Sequence, residues 1–276
     1  MTQISIPDAV SLNLFIPDKY DILVYGKPKT GKTEFAGTWS EAGDVLYIDS
    51  DKGILTLKSS PRIPDNLKQN IYFVPISDKA EDSNVKHPIG WITIKAIIES
   101  IQKTGAYSDI EPKTIVLDSL TTASDYALSY TLYINKHLGQ QPTLPDWGRQ
   151  MRELADLINE ARAIPQINFI CIAHEQYDRD ELSGRTWCVP LLTGKLAHRI
   201  GMHFDEIYHS VIVESGQNRI YKLETKGSGL VTAGSRFDLP NPINSHYNEI
   251  KGLIQKLTRA VGTGQVQSSP GTVNKP

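Results

Sequence analysis

Gly26-Lys27-Pro28-Lys29-Thr30-Gly31-Lys32-Thr33 follows the apolar run Ile22-Leu23-Val24-Tyr25 and opens a segment of helical pattern. It matches G-x-x-x-x-G-K-T in full and stands in the strand–loop–helix setting that this motif requires. Glycines let the backbone approach closely, so that successive N–H groups can wrap a phosphate chain, and the helix N-terminus adds partial positive charge. The Lys32 ammonium is placed to reach the β- and γ-phosphates, and the Thr33 hydroxyl to ligate Mg²⁺. ATP with Mg²⁺ is the ligand these eight residues predict; the plainer alternative is an ordinary lysine-rich loop.

Reading outward, four further apolar runs have the length of strands: Val45–Ile48, Ile71–Val74 stopped by Pro75, Thr114–Leu117 and Asn168–Ala173. Their apolar character is continuous rather than alternating, which predicts strands covered on both faces, as in a parallel sheet. Between them lie helical patterns. Trp91, Ile94, Ile97, Ile98 and Ile101 share one face of residues 91–102; Met151, Leu154, Ala155, Ile158 and Ala161 share one face of 147–163, with Asp146 placed as its cap. Strand and helix alternate, so the predicted class is α/β, a mostly parallel, doubly wound sheet flanked by helices. After residue 200 the pattern changes: Glu206–Val213 and Arg219–Thr225 read as a C-terminal β-hairpin, and Pro242–Val261 as the last helix. The implied organisation is an N-terminal arm (1–19, with the short apolar stretch Leu12–Ile16), a core (20–261) and a flexible tail (262–276).

The 276 residues suffice for one such core, and 22% charged residues is ordinary for a globular chain. No run of 18 apolar residues exists and the first residues lack the pattern of a signal peptide, so no membrane partner is expected and the cytoplasm is the default compartment. Two cysteines, Cys171 and Cys188, are too few for a disulfide framework. Net charge is −2, so any nucleic-acid site must be a local patch or be built where subunits meet.

Three strand ends carry polar residues. Val116-Leu117-Asp118-Ser119 has the form of a Walker B strand, whose carboxylate holds Mg²⁺ directly or through water; alternatively Asp118 caps the following helix. Tyr47-Ile48-Asp49-Ser50-Asp51 and Ile172-Ala173-His174-Glu175 end two more strands. Ligands of open α/β sheets bind at the carboxyl ends of the strands, so all these groups converge on one edge. Hydrolysis of ATP needs a group that orients water and one that detects the γ-phosphate.

On these residues the chain resembles the RecA-like ATPases, and in particular the compact phage-encoded members that act as single-strand annealing recombinases. The resemblance covers roughly residues 20–240. It implies Asp51 as the water-activating acid, where RecA proteins usually carry Glu, with Glu175 the next candidate. It implies His174 as γ-phosphate sensor, where RecA proteins use Gln. His174 as a structural residue, and Asp51 as a turn or capping acid, remain the alternatives. The resemblance also implies two DNA-facing loops, His137–Asp146 and Gln176–Pro190. The second holds Arg179, Arg185, Tyr177 and Trp187, but also Asp178, Asp180 and Glu181. Ala233-Gly234-Ser235-Arg236 resembles the end-of-core motif that reaches a neighbour's ATP, with Arg236 the candidate finger and Lys226 second; an ordinary surface arginine is the alternative. The implied partners are single-stranded DNA, further copies of the chain in a ring or filament, and a single-strand-binding protein. If the chain is phage-encoded, its compartment is the host cytoplasm.

Two other classes compete with a DNA-dependent recombination ATPase. A P-loop kinase or helicase-loader-like ATPase would turn over ATP without this use of DNA. A nucleotide-switched binding module would bind ATP with little turnover, and Asp in place of Glu at position 51 keeps that reading alive.

Overall fold

The computed structural model describes residues 17, 19–78, 88–193, 196–216 and 218–262. Nearly all of the arm, with Leu12–Ile16, and the tail after Gly262 lie outside the described residues.

The chain begins with β1 (Asp21–Tyr25), α1 (Lys32–Gly37) continued by a 3₁₀ turn (Thr38–Glu41), and β2 (Val45–Asp49). Short helices α2 (Leu55–Ser59) and α3 (Asp65–Lys68) lead to β3 (Ile71–Pro75). Then come α4 (Ile89–Thr104), β4 (Thr114–Asp118), α5 (Leu120–Ile134), α6 (Leu144–Arg162) and β5 (Asn168–Ala173). Next are β6 (Glu175–Arg179), β7 (Thr186–Pro190), α7 (Leu196–Arg199), β8 (Glu206–Ser215) and β9 (Asn218–Glu224). Two-residue strands β10 (Gly234–Ser235) and β11 (Ile243–Asn244) precede α8 (Tyr247–Gly262).

The main sheet has the order β11-β9-β8-β1-β5-β4-β2-β3, with β10 beside β8. β3, β2, β4, β5, β1 and β8 run parallel, and β9 returns antiparallel as the expected C-terminal hairpin. The sheet is mostly parallel and flanked by helices, with the antiparallel hairpin at its C-terminal side. The strand carrying His174 lies between the phosphate-loop strand and the Asp118 strand, so all three ends meet.

Alternate residues of the central strands feed two cores, because successive side chains point to opposite faces. Leu23, Leu46, Ile115, Leu117, Phe169 and Cys171 pack with the apolar faces of α4, α5 and α6. Ile22, Val24, Val45, Tyr47, Val116, Ile170 and Ile172 pack under Phe35, Trp39 and the apolar face of α8. Ile94, Ile97, Ile98 and Ile101 of α4 are all buried; each contributes about 1.5–3 kcal/mol relative to exposure.

Four expectations change. β3 is an edge strand and, among the described residues, is not covered on both faces: Phe73 is 50% exposed. The N-cap of α6 is Thr143, not Asp146; Asp146 is the third helical residue of a capping box and accepts from the Thr143 backbone N–H at 2.8 Å. The last helix starts at Tyr247, because Ile243–Asn244 pairs with β9. Gln176–Pro190, expected as a loop, is largely strand: β6 and β7 form a two-stranded antiparallel hairpin, with Tyr177 opposite Cys188.

Candidate functional site

The phosphate loop leaves β1 at Tyr25 and enters α1 at Lys32. Two of its glycines are sterically required. At Gly26 (φ 155°) a Cβ would come within 2.5 Å of the Ser210 carbonyl oxygen on β8. At Gly31 (φ 85°) it would come within 2.7 Å of the Tyr221 ring. Ser210 Oγ donates to the Thr30 carbonyl at 2.8 Å, so β8 backs the loop while Tyr221 of β9 covers it.

Lys32 is only 5% exposed. Its ammonium donates to the carbonyls of Gly26 (2.8 Å) and Lys27 (2.7 Å), which curls the loop around it. Burial lowers its pKa to about 8, against the attraction of Asp118, Glu175 and Asp51. Thr33 Oγ1 donates to Asp118 Oδ2 at 2.8 Å, bringing together the two predicted Mg²⁺ ligands. Burial pushes Asp118 up to about 7, opposed by the Thr33 hydrogen bond and reinforced by Asp51 and Asp49. Two convergent hard oxygens, one on a carboxylate crowded by like charge, fit a divalent cation such as Mg²⁺.

The ends of β2 and β4 are tied together: the Ser50 N–H donates to the Asp118 carbonyl at 2.7 Å and Ser50 Oγ accepts from the Ser119 N–H at 2.9 Å. This places Asp51 over the cleft. Asp51 Oδ2 faces His174 Nε2 at 3.1 Å, and Oδ1 accepts from Thr122 Oγ1 at the start of α5. Burial raises the Asp51 pKa, but hydrogen bonds from His174, Thr122 and Ser119 outweigh it and hold the carboxyl below its usual value. Asp51 is therefore ionised at neutral pH. His174 Nδ1 is buried without a partner, so we assign the proton to Nε2, donated to Asp51. The His174 backbone N–H donates to Thr121 Oγ1 at 3.0 Å.

Lys29, Gly31, Lys32, Thr33, Asp51, Asp118, Thr122, His174 and Tyr221 thus line one cleft of about 630 Å³. A slightly larger cleft, about 680 Å³, lies on the other side of Thr121 and contains no phosphate-loop residue. Gln176, Tyr177 and Asp178 of the β6–β7 hairpin form part of its wall.

Three predicted residues lie elsewhere. Glu175 follows His174 directly but does not line the cleft; its Oε2 meets His209 Nε2 at 2.8 Å behind the phosphate loop. Adjacent residues of an extended chain point to opposite sides. Arg236 is 64% exposed at its side chain and pairs with Asp205 at 2.9 Å, beside the first residues of β1 and β8. That is the opposite end of the sheet from the phosphate loop, about 13 Å away along a five-residue strand, so Arg236 does not join its own chain's site. Lys226 pairs with Asp238 at 2.7 Å and also does not line the cleft. Thr122 and Tyr221 were missed. Thr122 carried a usable signal in its place one turn beyond the Walker B strand; Tyr221 carried none.

One consequence concerns pH. Ligand-free Asp118 keeps its proton to about pH 7 in the folded chain, whereas its ordinary value is 3.8. Between those values the folded chain binds more protons, so stability falls as pH rises and the full penalty is present above pH 7. Asp118→Asn is expected to raise the ligand-free Tm above pH 7 by roughly 2–6 °C, with the gain shrinking as pH falls toward 4. The same variant should lose MgATP binding. Melting curves across pH check this, and a variant that melts lower at every pH contradicts it.

A protein-family model described as an AAA domain matches residues 18–237. No curated protein matches the sequence. Among solved structures, a RadB recombinase is similar at 16% identity and TM-score 0.43, covering 82% of this chain and 86% of that one. The flagellar accessory protein FlaH of Methanocaldococcus jannaschii is similar at 12% identity and TM-score 0.41, covering 81% and 83%.

Proposed function

The chain belongs to the AAA domain family, and we propose that it hydrolyses MgATP and couples ATP binding to single-stranded DNA in recombination of the phage annealing or strand-exchange type. The observation that carries the reading is the convergence of Lys32, the Thr33–Asp118 pair and the Asp51–His174 pair on one cleft.

Lys32 and the loop amides hold the phosphates. Thr33 and Asp118 hold Mg²⁺, which neutralises phosphate charge when bound. Asp51 is fully ionised and poorly basic, so its role is to accept a hydrogen bond from the attacking water and aim it at the γ-phosphorus; each carboxylate oxygen keeps a lone pair for this. His174 has one N–H for two acceptors. A γ-phosphate oxygen competes with Asp51 for that proton. When the phosphate wins, Asp51 is released toward water and the chain shifts where β5 passes into β6. His174 is thereby a sensor through exchange of one hydrogen bond.

The β6–β7 hairpin begins at the next residue and carries the proposed DNA contacts. Arg185 stacks over Trp187 at 5.2 Å, and Tyr177 is exposed; such platforms suit single strands, whose bases stack on aromatics. Asp178 is paired with His198 at 2.6 Å and Asp180 caps its own turn, which reduces repulsion of phosphates. Because ATP and DNA would favour one hairpin position, each should tighten binding of the other. The exposed edge of β3 and the position of Arg236 support self-assembly into a ring or filament, with Arg236 meeting ATP of the next copy. A single-strand-binding protein on the same DNA and a cytoplasmic setting complete the reading.

The test is a titration of labelled single-stranded DNA with a non-hydrolysable ATP analogue, with ADP and with no nucleotide, at low salt. Binding should be about 5–150-fold tighter with the analogue and weaken steeply with salt. His174→Ala should bind DNA equally in all three states. Equal wild-type affinities end the coupling, and no binding at low salt ends the DNA reading.

Action of Arg236 across an interface predicts complementation. Arg236→Ala mixed with Lys32→Ala should regain ATPase activity, because some interfaces combine an intact phosphate loop with an intact finger. No recovery in assemblies shown to contain both variants counts against it.

A further inference from the structure

Behind the phosphate loop, four strands bring together a group of side chains that the ATP site does not use. His209 on β8 is buried, with Glu224 Oε2 at 2.6 Å from Nδ1 and Glu175 Oε2 at 2.8 Å from Nε2. Cys188 Sγ on β7 lies 3.7 Å from the same Nε2. The Glu175 side chain is 6% exposed, and its Oε1 is buried without a well-formed hydrogen bond, although the Cys188 thiol and the Tyr177 hydroxyl face the same carboxylate. One donor atom each from Glu175, Cys188 and His209 lie within 4.8 Å of one another.

A neutral imidazole has one N–H and cannot donate to two carboxylates. One ring nitrogen therefore needs a further cation between itself and its carboxylate. A second proton would answer the imidazole and leave the thiol no partner stronger than the Glu175 carboxylate it faces. A metal ion answers all three. The arrangement around His209 has the form of a carboxylate–histidine–metal relay, with Glu224 taking Nδ1–H and fixing the ring so that the Nε2 lone pair faces inward. Zn²⁺ bonds of about 2.0–2.3 Å in a tetrahedron place donor atoms roughly 3.3–3.8 Å apart. The 3.7 Å between Cys188 Sγ and His209 Nε2 fits this span, whereas Glu175 Oε2, at 2.8 Å from Nε2, has to draw back for the ion to enter.

We propose that Glu175, Cys188 and His209 form a binding site for a transition-metal ion of the Zn²⁺ class, oriented by Glu224 and separate from the Mg²⁺ position at Thr33 and Asp118. The mixed sulfur, nitrogen and oxygen donors select Zn²⁺ over Mg²⁺ or Ca²⁺. Binding releases the Cys188 proton and leaves a thiolate on the metal. The ion would fasten the root of the β6–β7 hairpin to β8, which backs the phosphate loop.

The test uses the full chain, stripped with chelator and refilled with ZnCl₂ or CoCl₂ alone in excess MgCl₂. Wild type should retain close to one equivalent of zinc after desalting and melt higher with it. The Co²⁺ form should show visible bands of a four-coordinate ion and a near-ultraviolet thiolate-to-cobalt band. Cys188→Ser should lose the thiolate band, and Glu224→Gln should weaken zinc binding about 10–100-fold. Asp118→Asn should keep the full equivalent. Substoichiometric zinc together with a cobalt spectrum lacking the thiolate band in wild type overturns the proposal, in favour of a metal-free imidazolium held between two carboxylates. Both wild-type readouts stand even if a variant fails to fold.

Discussion

Lys32→Ala is expected to weaken MgATP binding by at least on the order of 10²-fold, about 2.7 kcal/mol, and to leave no measurable turnover. Lys32 is the cation at the centre of the cleft, and Asp118, Asp51 and Asp49 lie close around the Thr33 end of it. Without the ammonium, a triphosphate would approach three carboxylates with only the bound Mg²⁺ to offset them. The ammonium already makes two hydrogen bonds to loop carbonyls, so it is ordered before ligand arrives and exchanges carbonyl oxygens for phosphate oxygens. Its loss should leave the fold intact: the core strands are held by apolar burial, and the freed carbonyls of Gly26 and Lys27 face a cleft that water can enter. Calorimetric titration with MgATP, alongside circular dichroism, separates the two effects. A folded Lys32→Ala chain with wild-type affinity contradicts the assignment of the loop.

Asp51→Asn is expected to lower kcat by about 10²-fold or more while KM changes little. Asp51 touches neither the loop nor the Thr33 hydroxyl; its partners are His174, Thr122 and Ser119. Its contribution therefore falls in the transition state, where water must be aligned, rather than in ground-state binding. Asn keeps the shape and can still accept from Thr122, but it loses the charge that orders water. Glu175→Gln is the control. Glu175 faces His209 rather than the cleft, so it should not reproduce this kcat-selective loss. Normal kcat in Asp51→Asn would move the role elsewhere.

The parts legible in the sequence were those governed by local chemistry. The glycine spacing and the GKT triplet marked the loop because backbone conformation and close approach demand them. The strands were legible because burial on both faces leaves uninterrupted apolar runs. β3 departs from this because edge position depends on strand order, which no local pattern encodes. The β6–β7 hairpin was hidden by polar composition, since Glu175–Arg179 faces solvent on much of its surface; the turn signal Ser183-Gly184 was present. Thr143-x-x-Asp146 carried the capping-box spacing that corrects the cap. The Asp51–His174 bond joins residues 123 apart in sequence, and only the adjacency of strand ends brings them together. The turning away of Glu175 follows from strand alternation, but which of two neighbours faces the nucleotide depends on the register of β5, which the sequence does not display.

On the proposed function, one cleft hydrolyses ATP and reports its state to a DNA-binding hairpin. The most direct test is steady-state ATP turnover with Mg²⁺, measured with and without saturating single-stranded DNA in one preparation. Basal turnover is expected to rise several-fold with DNA, with stimulation lost in His174→Ala. Turnover unchanged by DNA, or tight ATP binding without turnover under either condition, would contradict the proposed function.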